Sequence, residues 1–434
     1  MPPKTRHGLM ISVEQALQSV LAVAQPTASD RAQLREALGR VLAEDIASDI
    51  DSPPHDKSLV DGYAVSSAAF TVGGEDTEIE LAVVEQVTAG DVPTCSVGSG
   101  NAIRIMTGAP IPAGADAVVM LEETQWQAED GTPLGVVRFS KKLNFREGQN
   151  IMRRGTSLRS GQVVLESGTV LGPEHIGLLA EVGRADVAII PAPRVAVLPT
   201  GDELVDAGFL PGPGKIRNSN GPMLVSCVQQ AGAIAQDLGV GRDNRDQLAE
   251  RIGVGLGADV LLVAGGVSAG VHDLVPQVLE ECGVQQIFHK VRFKPGKPLW
   301  FGQRKAGMTD QGQTASTLVF GLPGNPVSSF ACFQLFVAPA LARLAGRTQV
   351  SAPRIAARLS DDFHHRGDRA TYYPARVEDG EIPIVHLVRW HGSADLRSLV
   401  DANAFAVFPD GQQADYRQGD QVECLMFPGT RDFI

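Results

Sequence analysis

Asp259-Val-Leu-Leu-Val-Ala-Gly-Gly-Val-Ser-Ala-Gly270 is the stretch that decides the fold. An unbroken apolar run closed by glycines reads as a buried strand, and the glycines let backbone approach a ligand closely. The same unit recurs on either side. Val195-Ala-Val-Leu198 runs into Pro-Thr-Gly-Asp-Glu-Leu204, and Gln236-Asp-Leu-Gly-Val240 ends at Gly241-Arg-Asp-Asn244. Thr317-Leu-Val-Phe320 ends in Gly321-Leu-Pro-Gly-Asn-Pro326. Helical patterns fill the gaps at Pro222 to Ala233, Arg245 to Gly255 and Leu274 to Cys282, with another from Val327. Strand and helix alternating over short connections predict an α/β domain with a mainly parallel sheet. Ligands of such sheets sit beyond the carboxyl ends of the strands, where these polar and glycine-rich loops fall.

Outside this region the signals change. Ser12 to Ala24 reads as an amphipathic helix, with Ser12 and Gln15 spaced as a capping box. Asp30 to Leu42 places Leu34, Leu38, Val41 and Leu42 on one helical stripe, predicting a second helix. From Ile79 to about Phe145, and again from Ala352 to Ile434, short apolar runs alternate with Gly, Pro and Asp turns. The first predicts a small β domain, the second a C-terminal β barrel.

His289-Lys-Val-Arg-Phe-Lys-Pro-Gly-Lys-Pro298 stands out by charge. Lys290, Arg292, Lys294 and Lys297 are four cations within eight residues of a chain whose net charge is −12. Read as a strand, Lys290 to Lys294 turns its three cations to one side and Val291 and Phe293 to the other. Two readings stand: an edge strand whose lysines discourage aggregation, or a site for an oxyanion or phosphate. A second anion candidate is Gly321-Leu-Pro-Gly-Asn-Pro-Val-Ser-Ser329, with Asn325 as N-cap and Pro326 as first helical residue. The helix start would offer N–H groups to an oxyanion, helped by Ser328 and Ser329, or serve only as a helix start.

Asp202, Glu203, Asp243 and Asp273 lie at or just after predicted strand ends. Gathered carboxylates repel unless cations neutralise them, and oxygen ligands of this kind suit Mg²⁺ beside a phosphate. N-capping is the alternative for Asp243 and Asp273. The glycine loop is neither a Walker A loop nor a dinucleotide fingerprint. The nine histidines show no zinc spacing.

Composition narrows the class. At 434 residues with 43% apolar content, the chain predicts a multidomain globular protein. A pI near 5.3 argues against general binding to nucleic acid or membrane surface. Five scattered cysteines without a Cys-x-x-Cys pair predict reduced thiols and a cytoplasmic setting. The sequence is read as having neither signal peptide nor membrane span.

Seven motifs in order then resemble one family, the MoeA and gephyrin E-domain molybdopterin molybdenumtransferases, over essentially the whole chain. They are Ser58-Leu-Val-Asp-Gly-Tyr-Ala-Val65, Met106-Thr-Gly-Ala-Pro-Ile-Pro-Ala-Gly-Ala-Asp-Ala-Val-Val119, Gly148-Gln-Asn-Ile151, Thr200-Gly-Asp-Glu-Leu204, Gly265-Gly-Val-Ser268, Lys294-Pro-Gly-Lys-Pro298 and Gly321-Leu-Pro-Gly-Asn-Pro-Val-Ser328. The resemblance implies four parts: an extended dimerisation domain (1–50 with 151–190), an inserted small β domain (51–150), a MogA-like α/β molybdopterin-binding domain (191–347) and a C-terminal β barrel (348–434). It implies a homodimer that inserts molybdate into adenylylated molybdopterin and releases AMP, with Mg²⁺. The family's carboxylates fall on Asp61, Glu203, Asp243 and Asp273, two of them (Asp243 and Asp273) as metal ligands. Its threonine falls on Thr107 and its lysines on Lys290, Lys294 and Lys297. Gly265, Gly266, Ser268, Pro323, Asn325, Pro326, Ser328, Arg369, Ser393 and Ser398 would line the substrate. Where members commonly read Gly-Glu-Asp, this chain has Gly155-Thr-Ser157. The adenylyltransferase that precedes this step and the apo-molybdoenzymes that receive its product are implied partners. Two other functions remain open on the residues: adenylyl transfer to molybdopterin, and a gephyrin-like scaffold for partner peptides.

Overall fold

The computed structural model describes residues 10–70, 78–129, 132–140, 146–267, 274–309, 312–314, 316–411 and 415–429. The chain forms two compact units: Met1–Ala43 with Gly168–Gly172 and Asp186–Ile434, and Glu44–Ser167 with Pro173–Ala185.

The larger unit is organised on a six-stranded sheet in the order Ile234–Asp237, Arg194–Pro199, Val260–Ala264, Thr317–Leu322, Trp300–Arg304, Gln285–His289. The first four strands are parallel, Trp300–Arg304 runs against them, and Gln285–His289 pairs antiparallel with Trp300–Arg304. Val260–Ala264 lies near the middle and is buried along its whole length. Because side chains alternate across a strand, Val195 and Val197 enter one core while Ala196 and Leu198 enter the other. Asn220–Gln230 covers the first face, Arg245–Gly255 and Val275–Glu281 the second. The Val13–Val23 helix has its capping box and buries Val13, Ala16 and Val20 in the first core.

The first face also receives one continuous helix over Pro326–Leu344, with a π turn at Phe333–Val337. By length and composition alone it could cross a membrane, against expectation. It is instead 78% buried within the protein, as a core helix is.

Five strands of the C-terminal region close into the expected barrel. Ala370–Glu378 pairs with Ile384–Leu387 on one side and Ala404–Phe408 on the other. Arg354–Leu359 and Gln421–Met426 complete the ring. Phe293–Lys294 adds to this barrel in parallel, with Lys294 opposite Thr371.

The smaller unit holds a second six-stranded sheet, ordered Ala117–Met120, Gly62–Val65, Asn101–Ile105, Ile79–Val87, Thr132–Phe139, Thr124–Glu129. It explains one motif glycine. A Cβ on Gly62 would lie 2.0 Å from Val119 O on the neighbouring strand.

Two sequence readings are corrected. Asp30 to Leu42 is not one helix. Asp30–Gln33 is a strand paired with Asp186–Ile190, Leu34–Ala37 is a single helical turn, and Val41–Leu42 is a strand again. Pairing with a strand some 150 residues away overrides the local period, and Gly39 at φ +75° ends the turn. Lys290 to Lys294 is not one strand either. Lys290 has φ +74°, which breaks the extended chain between Gln285–His289 and Phe293–Lys294. The alternation survives the break: Val291 and Phe293 are fully buried, while Arg292 and Lys294 are exposed.

Gly62→Ala should destabilise the protein by about 1–3 kcal/mol, the usual cost of forcing a methyl into packed structure. Urea unfolding followed by circular dichroism checks this. A midpoint equal to wild type would mean that the strand gives way freely.

Candidate active site

The site is built where strand ends of the larger unit meet backbone to backbone. Gly265 N–H donates to Leu322 O at 3.0 Å, and Thr200 N–H donates to Ala264 O at 2.9 Å. A Cβ on Gly265 would sit 2.5 Å from Thr200 O, and its φ is +109°, so glycine is required twice over. Gly324 lies against the same loop: a Cβ on it would be 3.8 Å from Gly265 Cα. Asn220 Nδ2 donates to Gly324 O at 2.7 Å, which turns Oδ1 the other way. That Oδ1 and Thr200 Oγ1 are buried without a hydrogen-bond partner among the described residues.

Carboxylates gather beside Thr200. Asp202 N–H donates to Asp243 Oδ2 at 3.4 Å and Asp243 N–H to Asp202 Oδ1 at 3.2 Å, which brings the two acids side by side. Glu203 folds back over Gly201, its Oε2 2.3 Å from where a Cβ there would sit. Arg242 Nη1 holds the loop from beneath through the carbonyls of Gly201, Asp202 and Leu204 at 3.2, 3.3 and 2.9 Å. Each carboxylate carries about four lone-pair sites, so one N–H bond leaves most of its capacity for a cation.

The cations divide in two. Arg292 pairs with Asp410 at 2.8 Å, so it fastens the barrel. Among the described residues no ion pair engages Lys290, Lys294 or Lys297. Lys294 Nζ instead lies 5.2 Å from the centroid of the Trp390 ring. Lys290 follows His289, whose Nε2 is 3.2 Å from Val267 O in the glycine loop. The turn carrying Lys297 packs on the helix that starts at Pro326, since Cys332 Sγ lies 3.8 Å from Gly296 O.

Asn325 and Pro326 start that helix as expected, but its N–H groups are not all open to an anion. Val327 N–H donates to Ser393 O at 3.1 Å, and Asn325 Nδ2 donates to Ser393 Oγ at 2.8 Å. Ser329 gives its hydroxyl to Pro323 O, and Ser328 is buried. A barrel loop therefore occupies part of the position read as free. Ser398 is 1% exposed and its hydroxyl donates to Asp395 O at 2.7 Å, so it shapes the same loop. Arg369 Nε donates to Asp368 Oδ2 at 3.1 Å. Ser268 and Asp273 lie outside the described residues.

Asp61 and Thr107 are brought together in the smaller unit. Asp61 Oδ1 accepts Thr107 N–H at 2.7 Å and Thr107 Oγ1 at 2.8 Å. These two bonds, the backbone one foremost, hold the Asp61 carboxyl below its ordinary value.

Comparison with known proteins covers nearly the whole chain. Three family profiles match in order: the MoeA N-terminal region (domains I and II) at residues 11–183, a probable molybdopterin binding domain at 196–343, and the MoeA C-terminal region (domain IV) at 356–427. Relatives called molybdopterin molybdenumtransferase include one from Staphylococcus aureus, 32% identical over 96% of this chain and 95% of its own. Another, from Bacillus subtilis, is 33% identical over 96% and 94%. A solved molybdopterin biosynthesis MoeA protein from Pyrococcus horikoshii matches with TM-score 0.79 and 30% identity, over 97% of this chain and all of that one. This chain belongs to the MoeA family.

In this MoeA-family chain some motif residues carry structure. Asn150 of Gly148-Gln-Asn-Ile151 has φ +58°, accepts Leu59 N–H at 2.9 Å and donates from Nδ2 to Val118 O at 2.9 Å. Three residues escaped the sequence reading. Arg242 is visible there only as the middle of a strand-end loop, and Asn220 as one polar residue before a helix. Trp390 sits in the C-terminal barrel region, where no pattern in the sequence announces it.

Thr107→Val should move the Asp61 carboxyl back up towards its ordinary value. A depressed carboxyl contributes stability above its unfolded value and loses it as pH falls through the folded one. The variant should therefore lose part of its advantage near neutral pH and none in strong acid. Carbon-detected NMR titration of Asp61 reads this directly. An unmoved titration would mean that the Thr107 hydroxyl contributes nothing and that its backbone N–H alone anchors Asp61.

Proposed function

We propose that this molybdopterin molybdenumtransferase inserts molybdate into adenylylated molybdopterin at the strand-end site of the larger unit, with release of AMP. One observation supports the reading: a series of contacts links the lysine stretch to the carboxylate loop. Lys294 touches Trp390, the adjoining Ser393 touches Asn325, Gly324 lies against Gly265, and Gly265 lies against Thr200, which leads into Glu203, Asp202 and Asp243. Lys294 stands at one end of that series and the carboxylates at the other. Both substrates are anions, and one carries a phosphoanhydride whose cleavage drives the insertion.

Residue roles follow from chemistry. Lys290, Lys294, Lys297 and Arg369 would neutralise molybdate and phosphate. Gly265, Gly266, Ser268, Pro323, Asn325, Pro326, Ser328, Ser393 and Ser398 would shape and line the crevice. The orphaned Thr200 Oγ1 and Asn220 Oδ1 suit a substrate with both donors and acceptors. Glu203 would orient the reacting groups, so that positioning and charge neutralisation supply most of the catalysis; Asp61 and Thr107 are proposed as catalytic residues borne by the smaller unit.

Mg²⁺ fits the donor set. Asp243 and Asp273 would hold it, with Asp202 already beside Asp243. Among the described residues no cluster of three acidic, His or Cys side chains closes around a metal, so substrate oxygens would complete the shell. When bound, Mg²⁺ would neutralise charge on the adenylate phosphates. The four-part division, a cytoplasmic location and a homodimer complete the proposal.

Purified protein given adenylylated molybdopterin, Mg²⁺ and molybdate should release AMP, whereas molybdopterin with ATP should give no adenylate. The reverse pattern would make it the adenylyltransferase. Lys294→Gln should need about ten- to a hundredfold more molybdate for half-maximal turnover, since a charge-assisted contact contributes roughly 1.5–3 kcal/mol. Wild-type behaviour in that variant would return the lysine stretch to a solvated edge.

Light scattering at micromolar concentration should give twice the 45.9 kDa chain mass. A monomer across that range would remove the homodimer.

A further inference from the structure

The barrel loop from Trp390 to Ser398 is pinned at both ends of the anion site. Its Ser393 is tied to the helix start by the bonds to Asn325 and Val327. At the other end Trp390 is fixed in three ways. Its Nε1 donates to Gly392 O at 2.5 Å, Tyr373 meets its ring edge-on at 5.0 Å and 83°, and Lys294 Nζ lies over the ring at 5.2 Å. Behind it, Asp395 accepts His391 N–H at 3.0 Å, and Asp395 O accepts the Ser398 hydroxyl. A rigid indole is therefore presented to a lysine that makes no ion pair among the described residues, although the Asp368 carboxylate lies within reach of its field.

Lys294 leaves its own strand opposite Thr371 with an exposed side chain. Four rotatable bonds would let an unrestrained ammonium wander, whereas an indole face attracts a cation without neutralising it. A carboxylate partner would hold the ammonium more firmly but would also cancel the charge needed by an anion. The ring thus solves a problem specific to anion capture. It aims the lysine, keeps its full charge, and yields it when a dianion arrives.

We propose that Trp390 is a positioning residue for Lys294, holding the ammonium at the rim of the site until molybdate draws it off the indole. This rests on the reading of Lys294 as an anion ligand.

Two measurements on the full-length protein test it. The first is intrinsic fluorescence during titration with sodium molybdate, wild type against Trp390→Phe. The chain has three tryptophans, so the difference between the two proteins isolates Trp390. That difference should change with molybdate and saturate, with its midpoint at the molybdate concentration giving half-maximal turnover. A difference signal indifferent to molybdate overturns the proposal, and it needs no variant that lacks an aromatic ring. The second is turnover by Trp390→Leu, which should need about three- to tenfold more molybdate with its maximal rate within about twofold of wild type. Trp390→Phe should recover most of the loss. If Lys294→Gln loses affinity while Trp390→Leu titrates like wild type, the positioning role fails and the anion site stands. If Lys294→Gln also titrates like wild type, both fail.

Discussion

The contact between Gly265 and Thr200 is the constraint on which the rest of the site depends. Backbone from two adjacent parallel strands comes so close beyond the sheet that no side chain can stand between them. This brings the Thr200-Gly-Asp-Glu loop, the glycine loop and the Gly321-to-Pro326 loop into one rim. Parallel pairing makes it possible, because parallel strands end at the same edge of the sheet. The register sets the rim directly: Pro199 is opposite Ala264, and Ala264 is opposite Leu322. Acids are supplied by two of these strand-end loops and a helix start by a third.

Charge is then arranged against the general trend of the molecule. In a chain of net charge −12, a cluster of cations invites pairing with carboxylates. Arg292 follows that rule with Asp410 and ties the strand end to the barrel. Lys294 does not, and takes an aromatic face. The difference matters because a paired cation gives little to an incoming anion, whereas a cation resting on a ring keeps its field. Two exposed cations of the same short segment thus differ in their partners, one a carboxylate and the other an aromatic face.

The sheet was legible because its evidence is local. Val260–Ala264 is apolar throughout, its neighbours share that pattern, and glycines mark each exit. Asp30 to Leu42 misled for the opposite reason: its structure is decided by Asp186–Ile190, far away in sequence, so apolar spacing said nothing useful. The lysine stretch was half legible. Alternation of Val291 and Phe293 with charged residues is a local property and survived, but the break at Lys290 was not written in any turn residue. Within the site, acids and glycines could be found from their places after strands. The occupation of Val327 N–H by Ser393 could not, since it joins a helix to a loop of another sheet. Trp390 was hidden in the same way, because its meaning comes from the lysine beneath it.

The departure at Thr156 and Ser157 can be weighed on the same physical ground. The turn that carries them is held by its main chain: Gly155 N–H donates to Pro53 O at 3.0 Å, and Ser157 N–H to Ser52 O at 2.9 Å. Thr156 gives its hydroxyl to Arg153 O at 2.5 Å. The two arginines beside it are served by other acids. Arg153 meets Asp56 at 2.7 Å and Arg154 meets Asp51 at 2.6 Å, and both carboxyls lie below their ordinary values, foremost through backbone N–H bonds from Arg154 and Ser160. No part of this turn therefore needs a carboxylate at 156 or 157, either to fold or to balance charge. An acid at that point in other members must act on something beyond the turn itself. Thr156 and Ser157 sit in a frame fixed by main-chain hydrogen bonds and by the ion pairs of Asp51 and Asp56.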